Sequence, residues 1–274
     1  MLKENLQKFF KIDRRFIFLL LAVTLFIPIM KPLGLPNKTI SRDVQHSFDY
    51  MDNVPAGSFV LISLDYDPST RPELHPMAIA MIRHAFKKNL RVGVVTYIAG
   101  STGLIDEIFE SIPKEYNKVS GKDYVVFPYM ANPVAVMTQM ASDIYGIYDK
   151  DVAGADSRTM PVMKGVKNYK DMALVVEITG TAMLDYWVAY VGDKYHIPVI
   201  GGVTGISQPG YGPYLQRGQL KGLLGGMKGA AEYESLIKVA GKGTSGIDSL
   251  NLGHLLVLVL ISISNLILLV VKWL

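Results

Sequence analysis

The chain has 274 residues, half of them hydrophobic, with no cysteine and a formal net charge of +4. The absence of cysteine excludes disulfides, thiolate metal ligands and cysteine nucleophiles. Residues 37–250 hold 21 of the basic and 22 of the acidic side chains, so this region is near neutral. A nucleic-acid partner is therefore not expected, because it requires a basic face.

A basic tail and an apolar stretch open the chain. Residues 1–15 carry five basic and two acidic side chains. Residues 16–36, "FIFLLLAVTLFIPIMKPLGLP", predict a first transmembrane helix and its exit turn. Basic residues stay on the cytoplasmic side of a span, so the N-terminus is expected in the cytoplasm. A cleaved signal peptide is the alternative, but no small-x-small cleavage site follows the stretch.

Strand-like and helical runs alternate over residues 37–242, after a short amphipathic helix at 41–54. The runs typical of buried strands are "SFVLISLDY", "RVGVVTYI", "DYVVFPYM", "MALVVEITG", "IPVIGGVTG" and "LKGLLGG". This alternation predicts a parallel sheet with crossover helices. The expected fold class is α/β, a single doubly wound, mostly parallel sheet of about six strands between two transmembrane helices.

The C-terminal part of the chain predicts a linker and a second span. Residues 243–251 are expected to form a flexible linker, and 252–274 a transmembrane helix. Within the latter, "LGHLLVLVLISISNLILLVV" has 20 residues and no formal charge, enough to cross a hydrocarbon core of roughly 30 Å. Two spans would return the C-terminus to the cytoplasm and place the α/β domain outside it. The lipid bilayer is thus the first expected partner.

Two aspartates follow the first strand, in "LDYDPST". Asp65 and Asp67 are expected at the carboxyl edge of the sheet, where α/β proteins bind ligands. Carboxylates at this spacing suit a Mg²⁺ ion. The stretch resembles the Asp-x-Asp motif of haloacid-dehalogenase-type phosphatases, although Ser69 stands where a threonine is expected. The alternative is an Asx turn that starts the next helix.

Two further stretches at strand ends, "AGSTG" and "ITGTA", are expected at the same edge. Their backbone N–H groups could donate hydrogen bonds to a ligand. Glu177 lies inside an apolar strand, so its carboxylate must be paired or face a site. Lys164 or Lys167 is its candidate partner. The predicted ligand site comprises Asp65, Asp67, Gly100, Ser101, Glu177, Thr179 and Gly180.

A glycine-rich stretch, "GQLKGLLGGMKGAAEYE", precedes the last helix of the domain. It is not a Walker A motif, because Gly229 follows Lys228, and its spacing is not a dinucleotide fingerprint. Its turn at Gly225, Gly226, Lys228 and Gly229 is either a close-packed connection or an anion site at a helix N-terminus. The histidines lack the spacing of a helical metal pair, so no metal site and no cofactor are predicted.

The order of elements over residues 57–240 resembles one lobe of type I periplasmic binding proteins. More narrowly, "KPLGLP", "MKGVKNY" and the glycine-rich stretch resemble a family of prokaryotic membrane proteins with one Rossmann-like α/β domain between two spans. This resemblance implies no activity and no catalytic residue.

Three functions are compatible with these features. The favoured one is a membrane-anchored, non-enzymatic domain that homo-oligomerises and scaffolds or regulates a membrane assembly, with another membrane protein as a further partner. The tyrosine-bearing loop "GGVTGISQPGYGPY" is then an oligomer contact rather than a ligand lid. The alternatives are an extracytoplasmic small-molecule-binding or sensor domain, and a Mg-dependent hydrolase that uses Asp65 and Asp67.

Overall fold

Six parallel strands form one sheet in the order β3-β2-β1-β4-β5-β6. The strands are β1 (Phe59–Asp65), β2 (Arg91–Val95), β3 (Tyr124–Val126), β4 (Met172–Thr179), β5 (Val199–Val203) and β6 (Gly222–Gly225). This is the strand order of a Rossmann-like doubly wound fold, in which the direction of winding reverses between β1 and β4. The predicted single parallel sheet is confirmed.

The computed structural model describes residues 13–33 and 39–273, which form two units, Asn37–Gly243 and the terminal segments Met1–Pro36 with Thr244–Leu274. Most of the predicted basic tail, and the exit turn from Gly34 onward, lie outside the described residues. The helices are α1 (Arg14–Met30), α2 (Arg42–Asp52), α3 (Arg71–Lys87), α4 (Thr102–Glu115), α5 (Pro133–Met140), α6 (Met183–Trp187), α7 (Asp193–Tyr195), α8 (Gly212–Gln216), α9 (Gly226–Ile237) and α10 (Lys242–Trp273).

The helices of the sheet-containing unit cover both faces of the sheet. Helices α2, α3, α4 and α9 contribute to one buried apolar cluster, and α5 and α6 to a second on the opposite face. The strands are buried on both faces because they are nearly continuous runs of branched apolar residues. A long segment between α5 and β4 also docks on the second cluster, where Val162 and Met163 are buried.

Two polar side chains interrupt the apolar pattern of β1, and two interrupt that of β4. Ser63 and Asp65 are two residues apart on β1 and therefore share a face of the sheet. In the parallel register Glu177 stands beside Ser63, and Thr179 beside Asp65. The fold thus gathers carboxyl groups on one face at the reversal point of the sheet.

The two terminal helices differ in length. Of the described residues, α10 alone forms a helix long and apolar enough to cross a membrane, whereas α1 has 17 residues and contains Pro28. The structure therefore supports one candidate span, and the prediction of two spans is not confirmed. Within the terminal unit Ser249 Oγ donates to the Leu25 carbonyl oxygen at 2.7 Å, so the two helices are in contact.

The predicted flexible linker at 243–251 is wrong. Helix α10 begins at Lys242 and runs without a break to Trp273. The buried Glu234 carboxylate accepts hydrogen bonds from the N–H groups of Gly241 at 2.9 Å and Gly243 at 3.0 Å. N–H groups at a helix start have no partner within the helix, so a carboxylate there favours helix over coil. The glycines and serines of this stretch are consequently helical.

Candidate functional site

The carboxyl ends of β1 and β4 lie together, as their sequence positions predict. Thr179 Oγ1 donates to the Asp65 carbonyl oxygen at 3.0 Å, and Gly180 N–H donates to the same oxygen at 3.3 Å. Ser101 Oγ donates to the Tyr66 carbonyl oxygen at 2.7 Å and accepts from its N–H at 3.1 Å. Ser101 and Thr179 therefore hold neighbouring strand ends together.

Both carboxyl oxygens of Asp65 accept hydrogen bonds inside the domain. Ser63 Oγ donates to Oδ2 at 2.5 Å, while the Tyr97 N–H and Thr96 Oγ1 donate to Oδ1 at 2.5 and 3.2 Å. The side chain is fully buried. Burial raises the pKa of this carboxyl, and the hydrogen bonds from Ser63 and Tyr97 oppose that rise.

Asp67 lies in a different environment from Asp65, although only one residue separates them. It is exposed, and its Oδ1 accepts from Ser69 Oγ at 2.6 Å and from the Ser69 N–H at 2.9 Å. These hydrogen bonds lower the pKa of Asp67. The residue forms the Asx turn that leads into α3. A Cβ atom on Gly100 would contact Asp67 Cβ at 3.3 Å, so the backbone approaches closely here.

These positions do not make a shared Mg²⁺ site. Asp65 is buried and bonded to neutral donors, whereas Asp67 is exposed and bonded to Ser69. Among residues 13–33 and 39–273, no three metal-ligating side chains of histidine, aspartate or glutamate come together.

Glu177 is the exceptional side chain at this edge. It is fully buried, and burial, followed by the nearby Asp65 charge, raises its pKa well above the ordinary value. Ser63 and Trp187 approach its carboxyl group, but in the described part of the chain no donor meets hydrogen-bond geometry with either oxygen. Lys164 and Lys167 are both exposed and do not pair with it, contrary to expectation.

Other buried polar atoms without partners lie in the apolar cluster on this face of the sheet. Within the described ranges, Trp187 Nε1 and the Tyr148 hydroxyl are buried and lack a hydrogen-bond partner. Trp187 packs against Tyr97, with ring centroids 6.1 Å apart. The alternating polar residues of β1 and Glu177 in β4 were the sequence signal for this cluster. The contributions of Tyr148 and Trp187 were missed, because they depend on tertiary contacts.

The glycine-rich turn between β6 and α9 is closely packed. Gly226 has a φ of +58°, and a Cβ atom there would lie 3.0 Å from both Gly205 Cα and Glu73 Oε2. A Cβ on Gly229 would lie 3.1 Å from Leu224 backbone atoms, and one on Gly225 would overlap Gln208. Lys228 Nζ lies 3.3 Å from Glu232 Oε1.

The start of α9 already has an anion close to it. The Glu73 carboxylate accepts from the Gly205 N–H at 2.8 Å and lies beside Gly226. A carboxylate in this place repels a second anion. The geometry therefore favours the close-packed interpretation of the turn over a phosphate site.

The loop after β5 is fastened by hydrogen bonds and exposes the apolar side chain of Ile206. Tyr211 and Tyr214 donate to the two carboxyl oxygens of Asp185, at 2.9 and 2.8 Å. The Ser207 N–H donates to the Thr204 carbonyl oxygen at 3.1 Å. Between these fixed points Ile206 is 92% exposed. We call residues 204–214 the tyrosine loop.

The amino edge of the sheet carries two clefts that the sequence did not predict. One, of about 530 Å³, is lined by His46, Asp49, Tyr50, Asn53 and Lys221, among others. The second, of about 270 Å³, is lined by His196, Arg217 and again Lys221. Sequence reasoning missed them because α2 and the start of β6 meet only in the folded domain.

Helix α9 also bonds the first and the last segment of the sheet-containing unit, at Ser41 and at Gly241 to Gly243. Glu232 Oε2 accepts from the Ser41 hydroxyl at 2.6 Å and from the Ser41 N–H at 3.1 Å. Ser41 directly precedes α2, and its hydroxyl makes no cap hydrogen bond to that helix. Two residues further along α9, Glu234 holds Gly241 and Gly243. The connections enter and leave the unit at the same helix.

Comparisons with family models, with curated proteins and with solved structures find no match for this chain. The fold and the geometry of its edges define the class of protein, a Rossmann-like α/β domain joined to apolar terminal helices. The resemblance to prokaryotic two-span membrane proteins remains a prediction from the sequence.

Proposed function

We propose that this protein is a membrane-anchored, non-enzymatic α/β domain that homo-oligomerises and scaffolds or regulates a membrane assembly. The observation that carries the proposal is the tyrosine loop, in which a large apolar side chain, Ile206, is 92% exposed while Tyr211 and Tyr214 fasten the loop to Asp185. Interface centres are typically built from apolar and aromatic side chains that lose little freedom on binding. The exposed rings of Tyr186 and Tyr190, on the segment that begins with α6, add material of the same kind.

The state of the carboxyl edge supports a non-enzymatic role. An active site needs polar groups that point at a substrate. Here Asp65, Ser101 and Thr179 are bonded to other parts of the domain, and Asp67 to the start of the following helix. These contacts also weigh against a Mg-dependent hydrolase.

The membrane arrangement is part of the proposal. We infer that α10 and the longer apolar stretch around α1 both cross the bilayer, with both termini in the cytoplasm and the α/β domain outside it. Arg14 and Arg15 begin α1, as the positive-inside rule requires of a cytoplasmic end.

Sidedness can be tested with one introduced cysteine, because the chain has none of its own. Ala153 is exposed on the α/β unit, so Ala153→Cys is expected to react with a membrane-impermeant maleimide in intact cells. Labelling only after the cells are opened would contradict the proposed orientation. An unmodified chain is the matched control, since it should remain unlabelled in both conditions.

Self-association can be tested by native mass spectrometry of the full chain in a mild detergent. The proposal expects a discrete homo-oligomer without additional bound mass. A monomer would overturn it, whether or not that monomer carries a ligand.

A second candidate function is small-molecule binding, and the amino-edge clefts favour it. Their sizes, about 530 and 270 Å³, approach or fall within the range of ligand pockets. Lys221 lines both clefts, so a ligand with an acidic group would have a cation to bind. A reproducible small adduct in the same mass spectra, lost in Lys221→Ala, would support this function.

A further inference from the structure

We propose that Asp65 and Glu177 hold one proton between them in the folded domain, and that its release loosens the carboxyl edge of the sheet around Trp187. This inference goes beyond the proposed function, because it assigns a proton-binding site and a conformational response to the domain. It rests on contacts within the α/β unit and does not depend on oligomerisation.

The two carboxyl groups are neighbours on one face of the sheet. Glu177 on β4 stands beside Ser63 of β1, and Asp65 is the next residue of β1 on that face. Both side chains have 0% exposure. Two ionised carboxylates in such a place would repel each other, because burial removes the bulk solvent that would screen them.

The hydrogen bonds indicate which group carries the proton. Three donors, from Ser63, Thr96 and Tyr97, converge on Asp65, as expected for a carboxylate, which can only accept. No donor in the described residues has hydrogen-bond geometry with Glu177. A protonated Glu177 can instead donate to Asp65. We therefore assign the acid form to Glu177 and the ionised form to Asp65.

The strongest influences on Glu177 include no opposite charge. Besides burial, they come from Asp65, Ser63 and Trp187, and none of these side chains is a cation. Around the pair lie the phenols of Tyr97, Tyr148 and Tyr211, and burial raises the pKa of each. Asp185, bonded to Tyr211, is the further acidic group nearby. Ionising Glu177 would thus add an unbalanced charge to the interior.

The resulting pH dependence has a definite sign. Burial and the Asp65 charge raise the pKa of Glu177 in the folded state, while in the unfolded chain it returns to the ordinary range. The folded domain then binds a proton that the unfolded chain has lost. The stabilisation is complete below the ordinary pKa of glutamate and is lost as the pH rises through the folded value.

Trp187 connects the acid pair to a distorted helix. It is the last residue of α6 and is followed at once by a π-helical turn, Val188–Gly192. Turns of this kind replace regular helical hydrogen bonds with a looser pattern and are frequent at functional sites. A negative charge on Glu177 would change the electrostatic environment of the adjacent Trp187 indole. Because the π-helical turn follows Trp187 directly, a shift of the indole would be passed on to this turn.

The first test is infrared spectroscopy of the full chain in detergent over neutral to alkaline pH. At neutral pH ordinary aspartates and glutamates are ionised, so a carbonyl band of a protonated carboxylic acid reports an abnormal group. We expect this band in the wild type, its disappearance as the pH rises, and its absence in Glu177→Gln. A wild type without the band at neutral pH would overturn the proposal, and this part of the test needs no variant that must fold.

The second test follows Trp187 itself. The chain has two tryptophans, so Trp273→Phe leaves Trp187 as the only tryptophan, which is excited selectively at wavelengths where tyrosine does not absorb. Its emission is expected to change with the loss of the acid band, and to stay constant with pH when Glu177→Gln is added. Asp67→Asn, an exposed carboxyl control, should leave the transition unchanged. A transition that persists in Glu177→Gln, or an emission that does not respond when the band is lost, would contradict the proposal.

Discussion

Local chemistry decides the fate of each acidic residue more than its position in the chain does. Asp65 is the last residue of a buried strand and receives three hydrogen bonds from neighbouring strand ends. Asp67 is already in solvent, and its nearest donors belong to Ser69. A sequence pattern of two carboxylates at i and i+2 therefore does not imply a shared ligand.

Gly226 is a residue whose substitution should clearly lower stability. It combines a φ of +58° with a space that leaves 3.0 Å between an added Cβ and Gly205 Cα. A left-handed conformation alone costs an alanine roughly 1–2 kcal/mol, and the contact adds to that cost. We expect Gly226→Ala to lower the free energy of unfolding by about 2 kcal/mol or more, as measured by denaturant titration.

Gly103 provides the control for that measurement. It lies in α4, and a Cβ there would meet nothing within 4 Å. Gly103→Ala should be neutral or stabilising by up to about 1 kcal/mol, because alanine favours helix. Equal stabilities for the two variants would contradict the tight-turn account of Gly226.

At the scale of elements, the sequence predicted the strands well and the ends of the terminal helices poorly. Near-continuous apolar runs such as "FVLIS" in β1 are typical of strands that are buried on both faces of a parallel sheet. They therefore predicted the strands correctly. The start of α10 could not be predicted, since glycine, serine and threonine have low helix propensity. Its helical form depends on Glu234, a buried side chain of another helix.

The candidate site was also predicted only in part from the sequence. Glu177 was recognisable because one acidic residue interrupts an apolar strand. Its assigned partner was wrong, because lysines near in sequence, Lys164 and Lys167, point to solvent, whereas Asp65 lies across a strand pair. The contribution of Trp187 and both amino-edge clefts arise only from tertiary packing.

At the scale of the whole molecule, the candidate sites of the α/β unit lie at opposite edges of the sheet. The acid pair and the tyrosine loop belong to the carboxyl side of the sheet, whereas the clefts that share Lys221 lie at the amino edge. Both chain connections are fastened to α9, by Glu232 and Glu234. The tyrosine loop, on which Ile206 is 92% exposed, is where we propose that a second copy of the chain binds.

The most direct measurement of that claim compares two matched substitutions in native mass spectra of the full chain. Ile206 and Val119 are both exposed apolar residues, at 92% and 56%, but only Ile206 lies on the tyrosine loop. An aspartate at an interface centre is costly because it must be desolvated. We predict that Ile206→Asp dissociates the oligomer, while Val119→Asp keeps the wild-type mass. An Ile206→Asp variant with an unchanged oligomer would contradict the proposed contact.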